Sequence, residues 1–250
     1  MLELLEQTGY SGRLKALAEL ISASLDARQI EQLEVLSAVL RDWAPRNGLT
    51  AIVDPEQIAV RHVLDSLTVL TPLLLGPATG SARLVDVGAG AGFPGLVLAI
   101  ACPDLDVVLI EAAQKKVRFI EYVVGLLGLS NARPVCGRAE DLGHDALLRE
   151  HFDVGVARAV GSVATLVELV APFVHVGGRL ALMKTRAQVT LEIDAAGPAL
   201  TALGCTVELL ADVSVPDLLH DRVVLLLRKE EPTVARYPRR AGLPQRRPLA

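Results

Sequence analysis

The chain has 250 residues, of which 51% are hydrophobic, a length that fits one large domain or one domain with an extension. No uninterrupted apolar run reaches the roughly 18 residues of a membrane span. The first ten residues carry acids where an export signal would carry bases. Cys102, Cys136 and Cys205 lie far apart, without CxxC spacing or a neighbouring histidine pair. This composition argues against a membrane protein, a disulfide framework and a metal site, and it predicts a cytoplasmic protein with reduced thiols.

Charge is unevenly distributed along the chain. The net charge is −4, yet the last 18 residues hold five arginines and no acidic residue. We therefore predict an acidic body followed by a basic tail over residues 233–250. The tail has two interpretations, a solvated disordered segment or a segment that contacts an anionic partner.

Residues 1–75 are predicted to form a helical extension that packs on the rest of the chain. Two apolar stripes with helical spacing support this prediction: Leu14, Leu17, Ile21 and Leu25, then Leu33, Leu36, Leu40 and Trp43. The segment 44–48 has the composition of a loop. Asp54 precedes Pro55, with Gln57 three residues after Asp54, a pattern typical of a helix start.

The helix that follows has an apolar side and a polar side. Val60, Val63, Leu64 and Leu67 form its apolar stripe, whereas Arg61, His62, Asp65 and Ser66 fall together on the other side. Two interpretations remain open, a surface ion pair between Arg61 and Asp65 or a polar cluster that faces a ligand cleft.

From Arg83 onwards strands and helices alternate. Strands are predicted at 83–88, 106–111, 132–137, 152–158, 178–184, 206–214 and 221–229. Helices are predicted at 93–101, 114–128, 140–149, 162–174 and 188–203. This alternation predicts an α/β fold with a parallel sheet covered on both faces. Only a short turn separates the last two strands, which should therefore pair as an antiparallel hairpin.

The stretch Arg83–Gly95, RLVDVGAGAGFPG, predicts a buried strand, a glycine turn and a helix that starts near Pro94. The glycines allow positive φ angles and let a ligand approach the backbone without a Cβ in the way. In an open parallel sheet, ligands bind beyond the carboxyl ends of the strands. Polar or glycine residues follow four consecutive strands: Gly88 to Phe93, Glu111, Gly137 to Glu140, and Arg158.

Glu111 ends the second predicted strand, where a carboxylate can accept hydrogen bonds from both ribose hydroxyls of a nucleoside. It could instead cap the helix that begins near Gln114. A nicotinamide fingerprint requires a small residue at the position of Phe93, and no triphosphate-binding G-x-x-x-x-G-K motif is present. The remaining common ligand of this glycine loop is S-adenosylmethionine.

The chain resembles the bacterial small-subunit ribosomal RNA guanine-N7 methyltransferases from about Trp43 to Leu249. The resemblance rests on LTAI with DPEQIAVRHVLDSL (49–67), LVDVGAGAGFPG (84–95), GRAED (137–141), ARAV (157–160), the glycine pair at 177–178 and YPRR with its tail (237–249). It implies a class I methyltransferase domain, Rossmann-like and mostly parallel with an antiparallel last strand, over residues 76–232. Gly48 and Thr185 depart from the family, which usually has asparagine and glycine at these positions.

The resemblance also assigns candidate site residues. Together with our own assignments of Asp86, Gly90 and Glu111, the predicted donor-binding residues are Asp86, Gly88, Gly90, Phe93, Glu111, Ala139, Glu140 and Arg158. The predicted RNA-binding residues are Arg61, His62, Lys184, Arg239, Arg240, Arg246 and Arg247, with Asp65 and Ser66 as weaker candidates. No residue is assigned to acid–base catalysis; Arg158, Arg138 and Lys184 are candidates for positioning. Arg158 could instead pair with Asp86 or Glu140.

The implied reaction is transfer of a methyl group from S-adenosylmethionine to N7 of a guanine in the 530 loop of 16S ribosomal RNA, in the small ribosomal subunit. Guanine N7 carries a lone pair and no proton, so no general base is required. The target base must lie in a loop or leave its stack, since the major groove of A-form RNA is too narrow for side chains. A non-catalytic RNA-binding or assembly factor on the same scaffold is the main alternative. A methyltransferase for protein or small molecules is another, and a monomer without metal is expected.

Overall fold

The structure, a computed structural model, describes residues 25–70, 82–158, 161–213 and 221–249. Its centre is a seven-stranded sheet. The strands are β1 (Arg83–Val87), β2 (Asp106–Glu111), β3 (Ala132–Cys136), β4 (Phe152–Arg158), β5 (Val174–Thr185), β6 (Cys205–Val213) and β7 (Arg222–Lys229). All seven predicted strands are present, and β5 begins four residues earlier than expected.

The strand order is β3-β2-β1-β4-β5-β7-β6. Strands β1 to β5 are parallel, and β7 is antiparallel to both β5 and β6. The parallel core and the final antiparallel hairpin are thus confirmed. The chain leaves β1 first towards β2 and later crosses to β4, so the strand order reverses between β1 and β4. Crevices for ligands form at such a reversal.

Helices cover both faces of the sheet and also precede it. The α-helices are α1 (Ala27–Asn47), α2 (Pro55–Ile58), α3 (Asp65–Leu67), α4 (Gly95–Ala101), α5 (Gln114–Leu127), α6 (Ala139–Leu142), α7 (Val163–Val170), α8 (Arg186–Ala195), α9 (Gly197–Ala202) and α10 (Leu243–Arg246). A π-helix at Ala59–Leu64 joins α2 to α3, and a 3-10 turn at Thr68–Leu70 follows them. We call this continuous helical stretch the 55–70 segment.

The start of the 55–70 segment agrees with the sequence. Asp54 accepts a hydrogen bond from the Gln57 backbone N–H at 2.9 Å, and Pro55 occupies the first turn. A cap of this kind satisfies an N–H group that would otherwise lack a partner. The second apolar stripe also lies where expected, in α1, whereas residues 14, 17 and 21 of the first stripe lie outside the described residues.

One loop prediction and two helix predictions were wrong. The predicted loop at 44–48 is the last turn of α1, which contains Pro45 and ends at Gly48 in the left-handed conformation. The predicted helix 140–149 stops at Leu142; Asp145 accepts a hydrogen bond from the Leu147 N–H, a local contact that competes with helix. The predicted helix 188–203 is divided into α8 and α9, because Pro198 can occupy only the first turn of a new helix.

The core consists of two clusters of buried side chains, one on each face of the sheet. Successive strand residues alternate between them, as the pleat requires: Leu84 belongs to one cluster and Val85 to the other. The first cluster contains α1, the 55–70 segment, α4 and α5. The second contains α7, α9 and Tyr237, which belongs to residues 233–249, called the C-terminal segment below. Among the described residues no helix is long and apolar enough to cross a membrane.

Candidate functional site

A cleft of about 460 Å³ opens at the carboxyl ends of β1 to β4, next to the reversal of strand order. Most of the predicted donor-binding residues line it: Gly88, Gly90, Glu111, Ala139, Glu140 and Arg158. Arg138, a predicted positioning residue, lies in the same wall. Small-molecule sites commonly have volumes of roughly 300–1,000 Å³. The cleft therefore has the size required for a nucleoside ligand.

The glycine loop forms the floor of the cleft and depends on glycine for two different reasons. Gly90 has a φ of 61°, and a Cβ there would meet only the Gly88 carbonyl, at 4.0 Å. Gly92 has a φ of 87°, and its Cβ would lie 2.3 Å from Leu96. Gly90 thus leaves space for a ligand above the backbone, whereas Gly92 permits close packing against α4.

Asp86 lies behind the glycine loop instead of in the wall of the cleft. Its Oδ2 accepts a hydrogen bond from the Gly95 N–H at 2.8 Å, and Oδ1 is buried without a partner among the described residues. Burial raises the pKa of Asp86 to about 7. The side chain fixes the first turn of α4, and with it the loop, so its predicted direct contact with the donor is replaced by a positioning role.

Glu111 joins the glycine loop to the start of α5. Oε2 accepts a hydrogen bond from the Gly90 N–H at 2.9 Å, and Oε1 accepts one from the Ala113 N–H at 2.8 Å. Lys116 approaches Oε2 to 3.8 Å. Glu111 therefore holds the residue that precedes α5 and also lines the cleft, and its binding of ribose stays a prediction. A carboxylate has about four acceptor positions, which leaves capacity for ribose hydroxyls.

Glu140 connects the cleft to the C-terminal segment. It follows β3 at the start of α6, and its Oε1 accepts a hydrogen bond from the Gly242 N–H at 2.7 Å. The two residues are 102 positions apart in the chain. Part of the cleft wall is therefore built by the end of the chain.

Arg158, at the end of β4, is bound to the 55–70 segment. Its Nη1 is 3.2 Å from the Asp65 carboxylate and 3.2 Å from the Arg61 carbonyl oxygen. Asp65 is 1% exposed. The alternative partners considered for Arg158, Asp86 and Glu140, were wrong, and so was the pairing of Asp65 with Arg61 on the surface.

Arg222 supplies a second cation beside Asp65. Its Nε is 3.1 Å from Asp65 Oδ1, within ion-pair distance but without the alignment of a hydrogen bond. We missed Arg222 in the sequence, where it appears only as the start of a strand. Because β7 is antiparallel, it begins at the edge where the parallel strands end. An arginine at the start of an antiparallel last strand is the signal that could have identified it.

His62 lies between the glycine loop and Arg158. Its ring stacks on Phe93, with 4.9 Å between the centroids, and Phe93 itself is 4% exposed. Arg158 Nη2 is 3.3 Å from Nδ1, and Thr50 Oγ1 is 3.1 Å from Nε2. Burial, followed by the charge of Arg158, lowers the pKa of His62 to about 4. The imidazole is thus neutral near pH 7, with Nδ1 as acceptor, a tautomer inferred from the arginine donor.

The five candidates for RNA contact that lie outside the 55–70 segment fall into two groups. Lys184 donates to the Gly161 carbonyl at 2.8 Å and pairs with Glu192 at 2.6 Å, contacts that hold the chain after β4. Arg239 pairs through two nitrogens with Glu168, whose side chain is fully buried. These contacts favour structural roles over the predicted RNA contacts. Arg240, Arg246 and Arg247 are exposed at the surface.

The two departures from the family pattern occupy backbone positions that accept them. Gly48 ends α1 with a φ of 58°, a conformation that glycine and asparagine both adopt readily. Thr185 precedes α8 with a φ of −102°, where glycine is not required.

Comparisons with known proteins identify the family of the chain. The family described as rRNA small subunit methyltransferase G matches residues 29–214. The ribosomal RNA small subunit methyltransferase G of Moorella thermoacetica is 39% identical over 236 residues, 94% of this chain and 97% of the relative. The Symbiobacterium thermophilum protein of the same name is 37% identical, with 98% of this chain and 100% of the relative covered.

Solved structures share the fold at low identity. TrmN from Thermus thermophilus has a TM-score of 0.51 and 19% identity, over 68% of this chain and 53% of that chain. The [4+2]-cyclase SpnF has a TM-score of 0.50 and 19% identity, over 68% of this chain and 82% of that chain. A cyclase on this fold illustrates that the fold alone does not determine the reaction. The family match and the relatives that align over most of their length identify the family as well as the fold. The chain has the class I methyltransferase fold and belongs to the rRNA small subunit methyltransferase G family.

Proposed function

We propose that this chain transfers a methyl group from S-adenosylmethionine to N7 of a guanine in the 530 loop of 16S ribosomal RNA, within the small ribosomal subunit. One observation carries the proposal beyond family membership. The cleft beside Gly90 and Glu111 is bordered by Arg158, which is in turn held by the 55–70 segment. A cleft large enough for a nucleoside thus opens beside a guanidinium group that could donate hydrogen bonds to guanine.

The residues of the cleft fit S-adenosylmethionine. The open space at Gly90 would let the ligand approach the backbone closely. Glu111 would accept hydrogen bonds from the ribose hydroxyls. Ala139 and Glu140 would hold the adenine side. When bound, this donor supplies an electrophilic methyl group on a positively charged sulfur.

The protein's own contribution to the reaction is orientation. Guanine N7 has a free lone pair and no proton, so no side chain has to remove one. Holding a nucleophile and an electrophile in line can lower a barrier by roughly 7–11 kcal/mol. Neutral His62 is consistent with this chemistry, because it adds no further positive charge beside Arg158.

Arg158 is the residue best placed to direct the guanine. Its contacts with Asp65, the Arg61 carbonyl and His62 use three of its five N–H groups. The others would donate to guanine O6, which lies next to N7 on the same edge of the base. Arg138, exposed in the cleft wall, is a second candidate for this contact. Exposed Arg240, Arg246 and Arg247 would contact phosphates.

The experiment is methyl transfer from labelled S-adenosylmethionine to small subunits that lack the modification, and to naked 16S ribosomal RNA. Cleavage chemistry selective for 7-methylguanine then locates the label. The expected result is label at one guanine of the 530 loop. The two substrates also show whether the enzyme requires an assembled subunit.

A matched pair of variants separates donor binding from folding. Gly90→Asp places a carboxylate in the cleft beside Glu111 and should abolish labelling. Gly128→Asp introduces the same side chain at nearly the same φ, 63°, where a Cβ meets nothing within 4 Å, and should retain activity. If the wild type binds S-adenosylmethionine but labels neither RNA, the methyl-transfer assignment is wrong and a non-catalytic RNA-binding factor becomes the better explanation.

A further inference from the structure

The C-terminal segment, residues 233–249, is anchored on the wall of the donor cleft by buried groups. Glu168 binds Arg239 at 2.6 Å through Nη2 and at 2.8 Å through the backbone N–H. The Thr165 hydroxyl donates to the Pro244 carbonyl at 3.2 Å. Both Glu168 and Thr165 belong to α7, which packs against the sheet. The segment is thus a fixed part of the cleft.

Gln245 is the residue that this segment contributes to the cleft. It lies in α10, lines the cleft together with Glu140, and is exposed. Three residues earlier, the Gly242 N–H is bound by Glu140. Because α10 is short and tied down at both Gly242 and Pro244, the position of Gln245 is set by the fold.

The location of Gln245 indicates which part of the donor it meets. In the strand order β3-β2-β1-β4, the end of β2 with Glu111, the ribose-binding candidate, lies between Arg158 at the end of β4 and the residues that follow β3. Glu140 is one of those residues, and it holds the turn that precedes Gln245. The nucleobase of a nucleoside whose ribose binds Glu111 would extend towards this side. A glutamine amide can donate and accept hydrogen bonds at once, which matches the polar edge of adenine.

We propose that Gln245 binds the adenine edge of the methyl donor, so that the C-terminal segment forms the adenine-recognition wall of the cleft. The proposal rests on the proposed function, since it assumes that the cleft holds S-adenosylmethionine. It assigns a donor-binding role to a segment that the sequence associates only with RNA.

Binding of S-adenosylhomocysteine, measured by titration calorimetry, tests the proposal without turnover. Loss of a hydrogen bond in Gln245→Ala should weaken binding about threefold to tenfold. Val234→Ala, a truncation at an exposed position of the same segment, should bind like the wild type. Equal affinity of wild type and Gln245→Ala would overturn the proposal. Failure of the wild type to bind would overturn the proposed function itself.

A second ligand locates the contact on the base. An analogue with unsubstituted purine in place of adenine lacks the 6-amino group. If Gln245 contacts that group, Gln245→Ala should not change the affinity for this analogue, as a double-mutant cycle requires for a lost pairwise contact. Equal weakening for both ligands would place Gln245 elsewhere on the donor and would overturn the adenine assignment. As a further check, bound S-adenosylhomocysteine should slow hydrogen exchange at residues 242–246.

Discussion

Arg158 and Asp65 form an ion pair of 3.2 Å between the last residue of β4 and the 55–70 segment, and the aspartate is almost completely buried. Arg222 approaches the same carboxylate from β7. One aspartate thus orients two arginines at the edge of the cleft where the substrate base would enter. The arrangement makes the position of Arg158 depend on a segment outside the sheet.

The first prediction concerns Asp65→Asn. The substitution leaves two arginines beside a neutral group, and breaking a buried pair in this way typically costs about 3–5 kcal/mol. We expect urea unfolding to show a loss of that size, together with reduced methyl transfer. Asp106→Asn is the control, because its pair with Arg83 is partly exposed, with a distance of 3.6 Å, and should contribute less than about 1 kcal/mol. Equal losses in the two variants would contradict the role given to Asp65.

The second prediction concerns pH and Asp86. Its folded pKa of about 7 is above the usual value of 3.8, so between these pH values the folded protein holds a proton that the unfolded chain has lost. The unfolding free energy contributed by this group therefore falls as pH rises through that range, by at most about 1.4 kcal/mol per unit.

Asp86→Asn should remove this dependence, because an amide can still accept from the Gly95 N–H and does not titrate. Urea unfolding from pH 4 to 8 should show the wild type losing stability relative to the variant up to about pH 7 and no further above it. If the unfolding free energies of the wild type and the variant changed in parallel with pH, the pKa of Asp86 would not be raised in the folded protein.

The third prediction concerns His62, whose contribution to the unfolding free energy changes with pH in the direction opposite to that of Asp86. Its folded pKa of about 4 is below the usual 6.5, so the unfolded chain binds a proton that the folded protein does not. Stability is therefore lost as pH falls from about 6.5 to 4. His62→Gln should not show this loss, as measured by unfolding at several pH values in that range.

His175 provides an internal control for His62. A hydrogen bond to the Val176 carbonyl, and Asp153 nearby, raise the pKa of His175, so it stabilises the fold at low pH. His175→Gln should consequently change the pH dependence in the other direction. The same direction for both variants would show that the environment assigned to His62 is wrong.

The fourth prediction separates Arg239 from its neighbour Arg240. Arg239→Ala leaves Glu168 buried without its cation, and we expect a loss of about 3 kcal/mol in urea unfolding. Arg239→Lys should recover only part of it, since lysine cannot form the two-pronged contact. Arg240→Ala should change stability by no more than about 0.5 kcal/mol, because Arg240 is exposed.

Arg240 should instead affect RNA binding. If it contacts a phosphate, Arg240→Ala should reduce the slope of log affinity against log salt concentration by about 0.7. The measurement is filter binding to 16S ribosomal RNA over a salt series. An unchanged slope would show that Arg240 does not contact an RNA phosphate.

Much of the fold could be predicted because local chemistry and global structure agree. Asp54 before Pro55 is a helix start in any context, and the glycine loop after β1 requires positive φ angles that few other residues adopt. The exceptions lie at the ends of helices. Pro45 lies inside α1, which continues to Gly48, and the helix at Ala139 ends early, where Pro238 packs against Gly143.

The candidate site was predictable only in part. The residues that follow parallel strands could be located in the cleft, because the carboxyl ends of such strands share one edge. Arg222 was overlooked, although the predicted antiparallel direction of β7 places its start at the same edge. Gln245 could not be located, since its position depends on the anchoring of the C-terminal segment. The tail arginines show the same limit: their charge is visible in the sequence, whereas the partner of Arg239, Glu168, is visible only in the fold.

The bond between Glu140 and Gly242 also has a consequence for biosynthesis. During synthesis the N-terminal residues of a chain emerge from the ribosome before the C-terminal ones. The glycine loop and Glu111 emerge well before Arg239, Gly242 and Gln245, so a nascent chain can form the sheet while its cleft still lacks one wall. Glu168 would meanwhile remain without its cation. Residues from Arg239 to Gln245 thus complete the cleft, and a chain released before they are made would lack this wall.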